Sequence, residues 1–447
     1  MVVPPPPGLG ADGWRTLALA LCMAIWWSTE PVPIGITALL PPVLLPLTTE
    51  APLAAITAPY ANPLVFLFLG GFLLAAAVER HGLHRRLAWH VLRLAGTEPR
   101  RLVLGVMLVS ALLSMWISNT AAVLLLLPVV LSVLKAEDAT PGLAVALLLG
   151  LAYGASIGGT GTLIGTPPNA LLAGWLSEAR GVDLSFAQWA MLGVPFVALF
   201  LPVAWWLLAR RLGRGGADAA HAALALLRPG PPARPEARVA VLFALAAGLW
   251  MTRPLLNALP GLGALSDEGI ALGIGIALFL VPAGRIGEGR ALLTWDEAKD
   301  LPWQVLLLFG GGLSLAAAMD RSGLALWLGQ GLAGMGALPA IAVLATLALT
   351  VVLLTELVSN TAVVAALLPV VGAIAEGTGL MPEMLGAALA LSASCAFMLP
   401  AATPPNALVF ASGQVTVARM MRAGAVMNLV SVVLVTLLTM LLAPLVF

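Results

Sequence analysis

Ser118-Asn119-Thr120 is written twice in this chain, the second time as Ser359-Asn360-Thr361. Each copy is followed by the same second landmark, Thr166-Pro167-Pro168-Asn169 and then Thr403-Pro404-Pro405-Asn406. All four elements sit in apolar sequence, where a polar group without a partner is costly. A polar pattern kept twice in such surroundings is a constraint on the fold before it is anything else.

The surroundings are those of a membrane protein. Hydrophobic residues make up 60% of the chain and charged residues 10%, with a mean hydropathy of +1.02, outside the range of soluble domains. Apolar stretches recur from about 14–29 to 424–446. Several, such as 34–48, 121–134, 142–157 and 361–375, are shorter than the roughly 20 residues of a full span. Short pieces of this kind read as re-entrant or interrupted helices, which are tolerated at membrane depth when buried in protein or lining a wet cavity. The start, Met1-Val2-Val3-Pro4, has no basic region or small-residue cleavage site, so the first apolar stretch is expected to be a retained helix. Cys22 and Cys395 stand far apart and outside any CxxC context, which disfavours disulfide and metal readings.

The repetition extends well beyond the tripeptide. At an offset of 241, Phe68, Gly70, Gly71, Arg80 and Gly82 fall on Phe309, Gly311, Gly312, Arg321 and Gly323, and Pro128 and Pro141 fall on Pro369 and Pro382. A four-residue shortening then aligns the two Pro-Pro-Asn elements. Two units, about 60–180 and 300–415, are one pattern used twice. Their flanking charge differs: Arg80, Arg85, Arg86, Arg93, Arg100 and Arg101 follow the first long apolar stretch, whereas the second unit has only Arg321 before Arg419. The bias of basic residues toward the cytoplasm then places equivalent segments on opposite faces, so the repeats are inverted. The same bias assigns the 210–238 linker with Arg214, the 285–300 loop and the Arg419/Arg422 turn to the cytoplasm. Most of these arginines read as a headgroup-facing surface, as do His81 and His84.

Ser-Asn-Thr supplies two hydroxyls and a carboxamide in succession, a donor set suited to a hard alkali cation beside a carboxylate. Ser114 and Thr355 stand four residues before Ser118 and Ser359, one helical turn away. Pro-Pro cannot continue a helix interior, so the backbone ahead of each pair must open. Each new half-helix then aims a partial positive charge at an anion. No Lys or Arg lies within any of the four elements, so an anion would be held by hydroxyls, amides, helix ends and bound cations. A cation bound first favours the anion, which is positive linkage. For one Ser-Asn-Thr alone, helix packing is the better account; two copies in register with helix breaks favour transport. Gly154/Gly158 and Gly161/Gly165 match a GxxxG packing pattern, and packing accounts for the first pair. The glycine run fits neither GxGxxG nor a P-loop, since the spacing is wrong and no Lys follows, which disfavours nucleotide binding.

With Ala24 to Leu47, both tripeptides and both Thr-Pro-Pro-Asn elements in this order, the chain resembles the divalent anion/sodium symporters, over nearly its whole length. The resemblance implies an all-α polytopic membrane protein with inverted-topology repeats, two re-entrant hairpins and two discontinuous helices. It also implies a homodimer whose scaffold domain holds the partner while a transport domain moves as an elevator. On this pattern 1–60 are N-terminal scaffold helices. Repeat 1 (60–180) holds an arm helix at about 79–96, a hairpin at 101–134 and a broken helix at 142–177. Residues 185–300 are scaffold helices and a cytoplasmic linker. Repeat 2 (300–415) holds an arm at 320–335, a hairpin at 338–375 and a broken helix at 382–414, and 419–447 form a C-terminal helix. Carried over by matching position, one sodium site takes Ser114, Ser118, Asn119 and the Gly165 carbonyl. The other takes Thr355, Asn360 and the carbonyls of Val358 and Ala402. Substrate carboxylates meet Asn119, Thr120, Thr166, Asn360, Thr361, Thr403 and the helix start at Pro404.

The expected activity is sodium-coupled import of C4-dicarboxylates such as succinate, malate and fumarate across a bacterial inner membrane, with the arginine-rich arm cytoplasmic. Sodium is the coupling ion, and neither an organic cofactor nor nucleic acid is called for. Alternatives are a sodium-independent exchanger, a citrate or sulfate carrier and, behind these, an anion channel built on the same loops. An enzyme is disfavoured, because His occurs only at 81, 84, 90 and 221, in charged segments or linkers. Glu356, inside an apolar hairpin where the other repeat has Met115, is either a coupling group that carries a proton or aids the cation, or a structural hydrogen-bond acceptor.

Overall fold

The structure is a computed structural model that describes residues 4–96, 98–136, 141–213, 228–284, 290–332 and 338–447. Apart from one isolated bridge between Pro282 and Ala291, the regular elements among the described residues are helices. Arg214, His221, residues 285–289 of the cytoplasmic loop and 333–335 of the second arm lie outside them.

The N-terminal segment forms α1 (Ala11–Thr29) and the short α2 (Ile34–Thr37), α3 (Leu40–Thr48) and α4 (Leu53–Thr57) before the long α5 (Pro63–Arg80). Gly82, at φ +74°, turns the chain into the arm α6 (Leu83–Ala95), so Glu79 and Arg80 end α5 instead of starting the arm as expected. The first hairpin is α7 (Pro99–Ser114) and α8 (Asn119–Ala136), and the first broken helix is α9 (Pro141–Gly159) and α10 (Pro167–Arg180). Then come α11 (Phe186–Ala209), α12 (Arg234–Leu256), α13 (Asp267–Leu280) and the short α14 (Trp295–Ala298). The second unit repeats the plan: α15 (Trp303–Arg321), a turn at Gly323 (φ +72°), and the arm α16 (Leu324–Leu332). The hairpin α17 (Ala340–Thr355) and α18 (Asn360–Thr378), the broken helix α19 (Pro382–Ala393) and α20 (Pro404–Ala411), and a last helix α21 (Val417–Val446) complete it.

Helix lengths follow from the sequence. Seven helical stretches among the described residues are long and apolar enough to span. The first leg of each hairpin has 16 residues, about 24 Å of helix against a hydrocarbon core of about 30 Å. These legs therefore end inside the membrane. Pro63, Pro99, Pro167, Pro382 and Pro404 each open a helix, where a missing N–H costs nothing.

The helices pack as two groups. In one, α5 crosses α13 and α15 crosses α2. The repeated glycines make both crossings: a Cβ on Gly70 would lie 2.4 Å from the Ala271 backbone, and one on Gly311 would lie 2.3 Å from the Ala38 carbonyl oxygen. In the other group, α9 packs on α7, α8 and α20, and α19 packs on α17, α18 and α10, so each break's downstream half-helix is held by the opposite repeat. Gly154 and Gly158 account for the closeness of α9 to α7, the latter's Cβ position being 2.3 Å from Ala111. Helix α11 packs against α7, α9 and α21, that is, with the hairpins, although residues 185–300 were expected to be scaffold. Burial agrees: 89% of the apolar window of α9 is buried but 17% of that of α12, which makes α9 central and α12 peripheral.

Candidate functional site

Both tripeptides stand at helix starts. Ser118 precedes α8 and its hydroxyl accepts from the Ala121 N–H at 3.1 Å, while Ser359 caps α18. Thr166 caps α10, and Thr403 caps α20 with its hydroxyl accepting from the Asn406 N–H at 3.2 Å. Asn119, Thr120, Thr166, Asn360, Thr361, Thr403 and Pro404 all line one cavity of about 870 Å³, together with Ser118, Gly165, Val358 and Ala402. Four helix N-termini thus border a single volume, each with unsatisfied N–H groups and the positive end of its dipole. Glu30 is the charged side chain among the cavity's lining residues. The arrangement can hold an anion without a basic residue.

Ser114 and Thr355 do not line the cavity; both are fully buried behind the hairpin tips. In the first repeat, Ser114 Oγ and Asn119 Oδ1 are buried oxygens without a hydrogen-bond partner. A Cβ on Gly159 would lie 2.7 Å from Asn119 Oδ1 and 3.2 Å from the Gly165 carbonyl oxygen, and one on Gly165 would lie 2.9 Å from the Ser114 carbonyl oxygen. The Ser114 backbone, the Asn119 side chain and the Gly165 carbonyl therefore meet where the tip touches the break, around space that only glycine leaves open. Unpaired hard oxygens in a closed pocket suit an alkali cation. The second repeat differs in detail. Asn360 Oδ1 is again buried and unpaired, but the Thr355 hydroxyl donates to the carbonyls of Val351 and Val352 at 3.0 and 3.1 Å. Its lone pairs stay available as acceptors. Ala402 ends the short turn Pro400–Ala402 that leads into the Thr403 cap.

Two sets of residues have roles that sequence reading did not assign, and for a third, Glu356, the structure shows the hydrogen-bond acceptor that was one of its two expected roles. The side-chain amide of Asn169 donates to the carbonyls of Gly159 and Thr162 at 3.2 and 2.8 Å, and that of Asn406 to Ala396 and Leu399 at 3.1 and 3.0 Å. Each staples its break from the downstream side, and the shared final Asn of the two landmarks was the signal. Gly193 of α11 and Gly424 of α21 press on equivalent carbonyls of the two breaks: a Cβ there would lie 2.4 Å from Thr160 O and 2.2 Å from Phe397 O. The Glu356 carboxylate accepts from the N–H groups of Phe397, Met398 and Leu399 at 2.8, 2.8 and 2.9 Å and from Asn428 Nδ2 at 2.8 Å. In the first break the matching contact is the Thr162 hydroxyl donating to the Met115 carbonyl.

A second cavity of about 660 Å³ shares Ser118, Gly165, Pro167 and Val305 with the first and runs along α5 to Glu79, Arg80, Glu297 and Asp300. Glu297 pairs with Arg80 and, at 2.7 Å, with Arg290. Burial pushes the Glu297 carboxyl up, but hydrogen bonds from Thr294 and the charges of Arg80 and Arg290 outweigh it and hold the group below the usual carboxylate value. At the other end of α5, Asn62 donates to Glu178 at 3.4 Å. The predicted headgroup surface has exceptions: Arg86 pairs with Glu236 and donates to the Gly230 carbonyl, and Arg100 donates to the carbonyls of Arg210 and Leu212. His81 and His84 contact the backbone carbonyls of Leu292 and Val78.

The profile of the family described as "Sodium:sulfate symporter transmembrane region" matches residues 1–447. The sodium-dependent dicarboxylate transporter SdcS of Staphylococcus saprophyticus is 38% identical over 458 residues, covering 98% of this chain and 88% of that protein. SdcS of Staphylococcus aureus (strain USA300) is 37% identical, covering 99% and 88%. Among solved structures, the Alcanivorax borkumensis YdaH transporter superposes with a TM-score of 0.63 at 18% identity, covering 97% of this chain and 98% of that one. Neisseria gonorrhoeae MtrF gives 0.60 at 14% identity, covering 97% and 95%. These two likenesses bear on the fold alone.

Proposed function

The chain belongs to the sodium:sulfate symporter family, the divalent anion/sodium symporters, and from that premise we propose that it imports C4-dicarboxylates such as succinate, malate and fumarate together with sodium ions. The observation that carries the reading is the cavity bordered by four helix N-termini and both Ser-Asn-Thr tips, without a Lys or Arg in its lining. One sodium ion binds Ser114, Ser118, Asn119 and the Gly165 carbonyl, and another binds Thr355, Asn360 and the carbonyls of Val358 and Ala402. The dicarboxylate lies between them on Asn119, Thr120, Thr166, Asn360, Thr361, Thr403 and the helix start at Pro404. The unpaired buried oxygens of Ser114, Asn119 and Asn360 support the cation sites. Two like charges on the substrate need more than dipoles, and two cations supply it, which is why sodium and anion bind with positive linkage.

In this proposal the group formed by α7–α11 and α17–α21 is the mobile body of an elevator, and α1–α5 with α12–α15 the scaffold through which two copies dimerise in a bacterial inner membrane. The arginine-rich α6 lies on the cytoplasmic face, so the vestibule ending at Arg80 and Glu297 opens the site inward. The test is uptake of labelled succinate into proteoliposomes with sodium or choline outside, with malate, citrate and sulfate as parallel substrates. Saturable uptake that needs sodium is expected. Saturable counterflow that persists in choline would replace symport by exchange, and non-saturating flux would replace the carrier by a channel. Asn119→Ala and Asn360→Ala each abolish uptake while the protein remains folded; near-normal uptake in either removes the site assignment.

A further inference from the structure

The two breaks look alike in sequence but are held open by different devices. The first is built from small residues: Gly158, Gly159, Gly161 and Gly165 let Ala111, Asn119, Met115 and Ser114 approach closely, and one hydroxyl, that of Thr162, bonds across to the Met115 carbonyl. The second has a single glycine contact, from Gly424, and a buried carboxylate. Glu356 is 4% exposed, and its two oxygens collect three successive backbone N–H groups, Phe397 to Leu399, plus the amide of Asn428. Asn428 Oδ1 in turn accepts from the Phe397 N–H at 3.3 Å. Three consecutive backbone donors converging on one acceptor group are a nest for an anion. Here the anion belongs to the chain itself.

We infer that Glu356, seated by Asn428, is a fixed positioning residue that presets the second break for its cation. The inference deepens the proposed function and rests on it for the identity of the cation. Every partner of the carboxylate is a donor, and the 397–399 segment it holds leads to Ala402 three residues on and to Thr403 four residues on. The carboxylate also adjoins Thr355 in sequence, which gives the second cation site a full negative charge that the first, with Met115 in the same place, lacks. Held between Thr355 and the break, the group fixes the distance between two ligands of one cation site. The titratable groups around it are Tyr153 on α9, whose hydroxyl donates to the Phe397 carbonyl at 2.8 Å, and Cys395 in the break itself.

The experiment compares wild type, Glu356→Gln, Glu356→Asp and Asn428→Ala as full-length protein. Sodium dependence of thermal unfolding in detergent and sodium dependence of succinate uptake are measured between pH 6 and pH 8. Gln turns an N–H toward backbone donors, so Glu356→Gln raises the sodium half-saturation at least tenfold in both assays. The maximal rate at saturating sodium falls less, and the shape of the pH profile is unchanged. Glu356→Asp recovers part of the shift, and Asn428→Ala, which leaves the charge in place, gives a smaller one in the same direction. Wild-type sodium dependence in Glu356→Gln overturns the inference, as does a flattened pH profile. If Glu356→Gln does not fold, Asn428→Ala decides: an unchanged sodium half-saturation overturns it. If wild type takes up no succinate with sodium, the proposed substrate fails, while sodium-dependent unfolding still reports on the anchor.

Discussion

Replacing Asn406 by Leu keeps the branched four-atom shape of a fully buried side chain, with bulkier methyl ends, but removes the two hydrogen bonds its side chain makes. The amide of Asn406 reaches the carbonyls of Ala396 and Leu399 at 3.1 and 3.0 Å from the first turn of α20, and Asn406 is 0% exposed. Leucine cannot donate, so the Ala396 carbonyl loses its donor, at about 1–3 kcal/mol, while the Leu399 carbonyl keeps the Ala402 N–H at 3.2 Å. That loss translates to a fall of roughly 1–3 °C in the apparent melting temperature of a chain this size. The loss has a functional address, because the stapled carbonyls flank the turn that presents Ala402 and Thr403. Asn406→Leu therefore lowers uptake and weakens sodium-dependent stabilisation, whereas a cavity mutant of equal destabilisation elsewhere leaves the latter intact. Asn169→Leu tests the same logic in the other repeat, with bonds of 3.2 and 2.8 Å to Gly159 and Thr162. The assay is differential scanning fluorimetry with and without sodium, run beside proteoliposome uptake. If either variant melts within about 1 °C of wild type and transports normally, the staples do not hold the breaks and the reasoning fails.

Gly424→Ala places a methyl group 2.2 Å from the Phe397 carbonyl oxygen, so the break must move by about 1 Å to restore van der Waals distance; uptake should fall by at least tenfold, whereas Gly248→Ala, where nothing lies within 4 Å, is harmless. Glu297 titrates below its unfolded value, so its contribution to stability is full above the ordinary carboxylate range and is lost as pH falls through the depressed value; Glu297→Gln should melt lower than wild type at neutral pH and converge with it toward pH 3. Cysteine placed at Ala75 or Ala76, on the vestibule wall, should react with a membrane-impermeant maleimide from the side bearing α6 and be slowed by substrate; labelling from the opposite side would reverse the proposed orientation.

The repeat was legible because its polar members cannot hide in apolar sequence, and because one offset carries the crossing glycines Gly70 and Gly311 along with both tripeptides. Hairpin legs too short to span were legible from length alone. The contacts that shape the breaks were not. Gly193 and Gly424 lie outside the aligned repeats and look like any glycine in a membrane helix. The Glu356 partners lie 41 to 43 residues away for the backbone and 72 for Asn428, a proximity that no local pattern encodes. The placement of α11 beside the hairpins was missed for a related reason: its uniformly apolar sequence does not say which neighbour it covers.

The repeats are alike, yet their surroundings in this structure are not. At the first tip, Trp116 packs on Phe243 and Trp250 of α12 with ring centroids 4.6 and 6.4 Å apart, while its counterpart at the second tip, Leu357, is 75% exposed. The vestibule joins the site past the first tip, and the Asn62 to Glu178 contact lies at the far end of α5. A site assembled from two equivalent halves has no constitutional reason to open at one end only, since each half supplies a tip, a break and an arm. On the elevator proposed above, the difference belongs to the position of the hairpin-bearing group against the other group, and the interface between them has a second stable arrangement. The proposal then predicts that in this second arrangement Trp116 leaves the aromatic cluster on α12, Asn62 releases Glu178, and Leu357 becomes the covered tip. The tip and break contacts, by contrast, lie wholly inside the proposed mobile group, so on that proposal the cation ligands cross with their geometry intact. A carrier that keeps its ligands and exchanges its neighbours needs rigid breaks, and the Asn169 and Asn406 staples, the two glycine contacts and the Glu356 nest supply that rigidity.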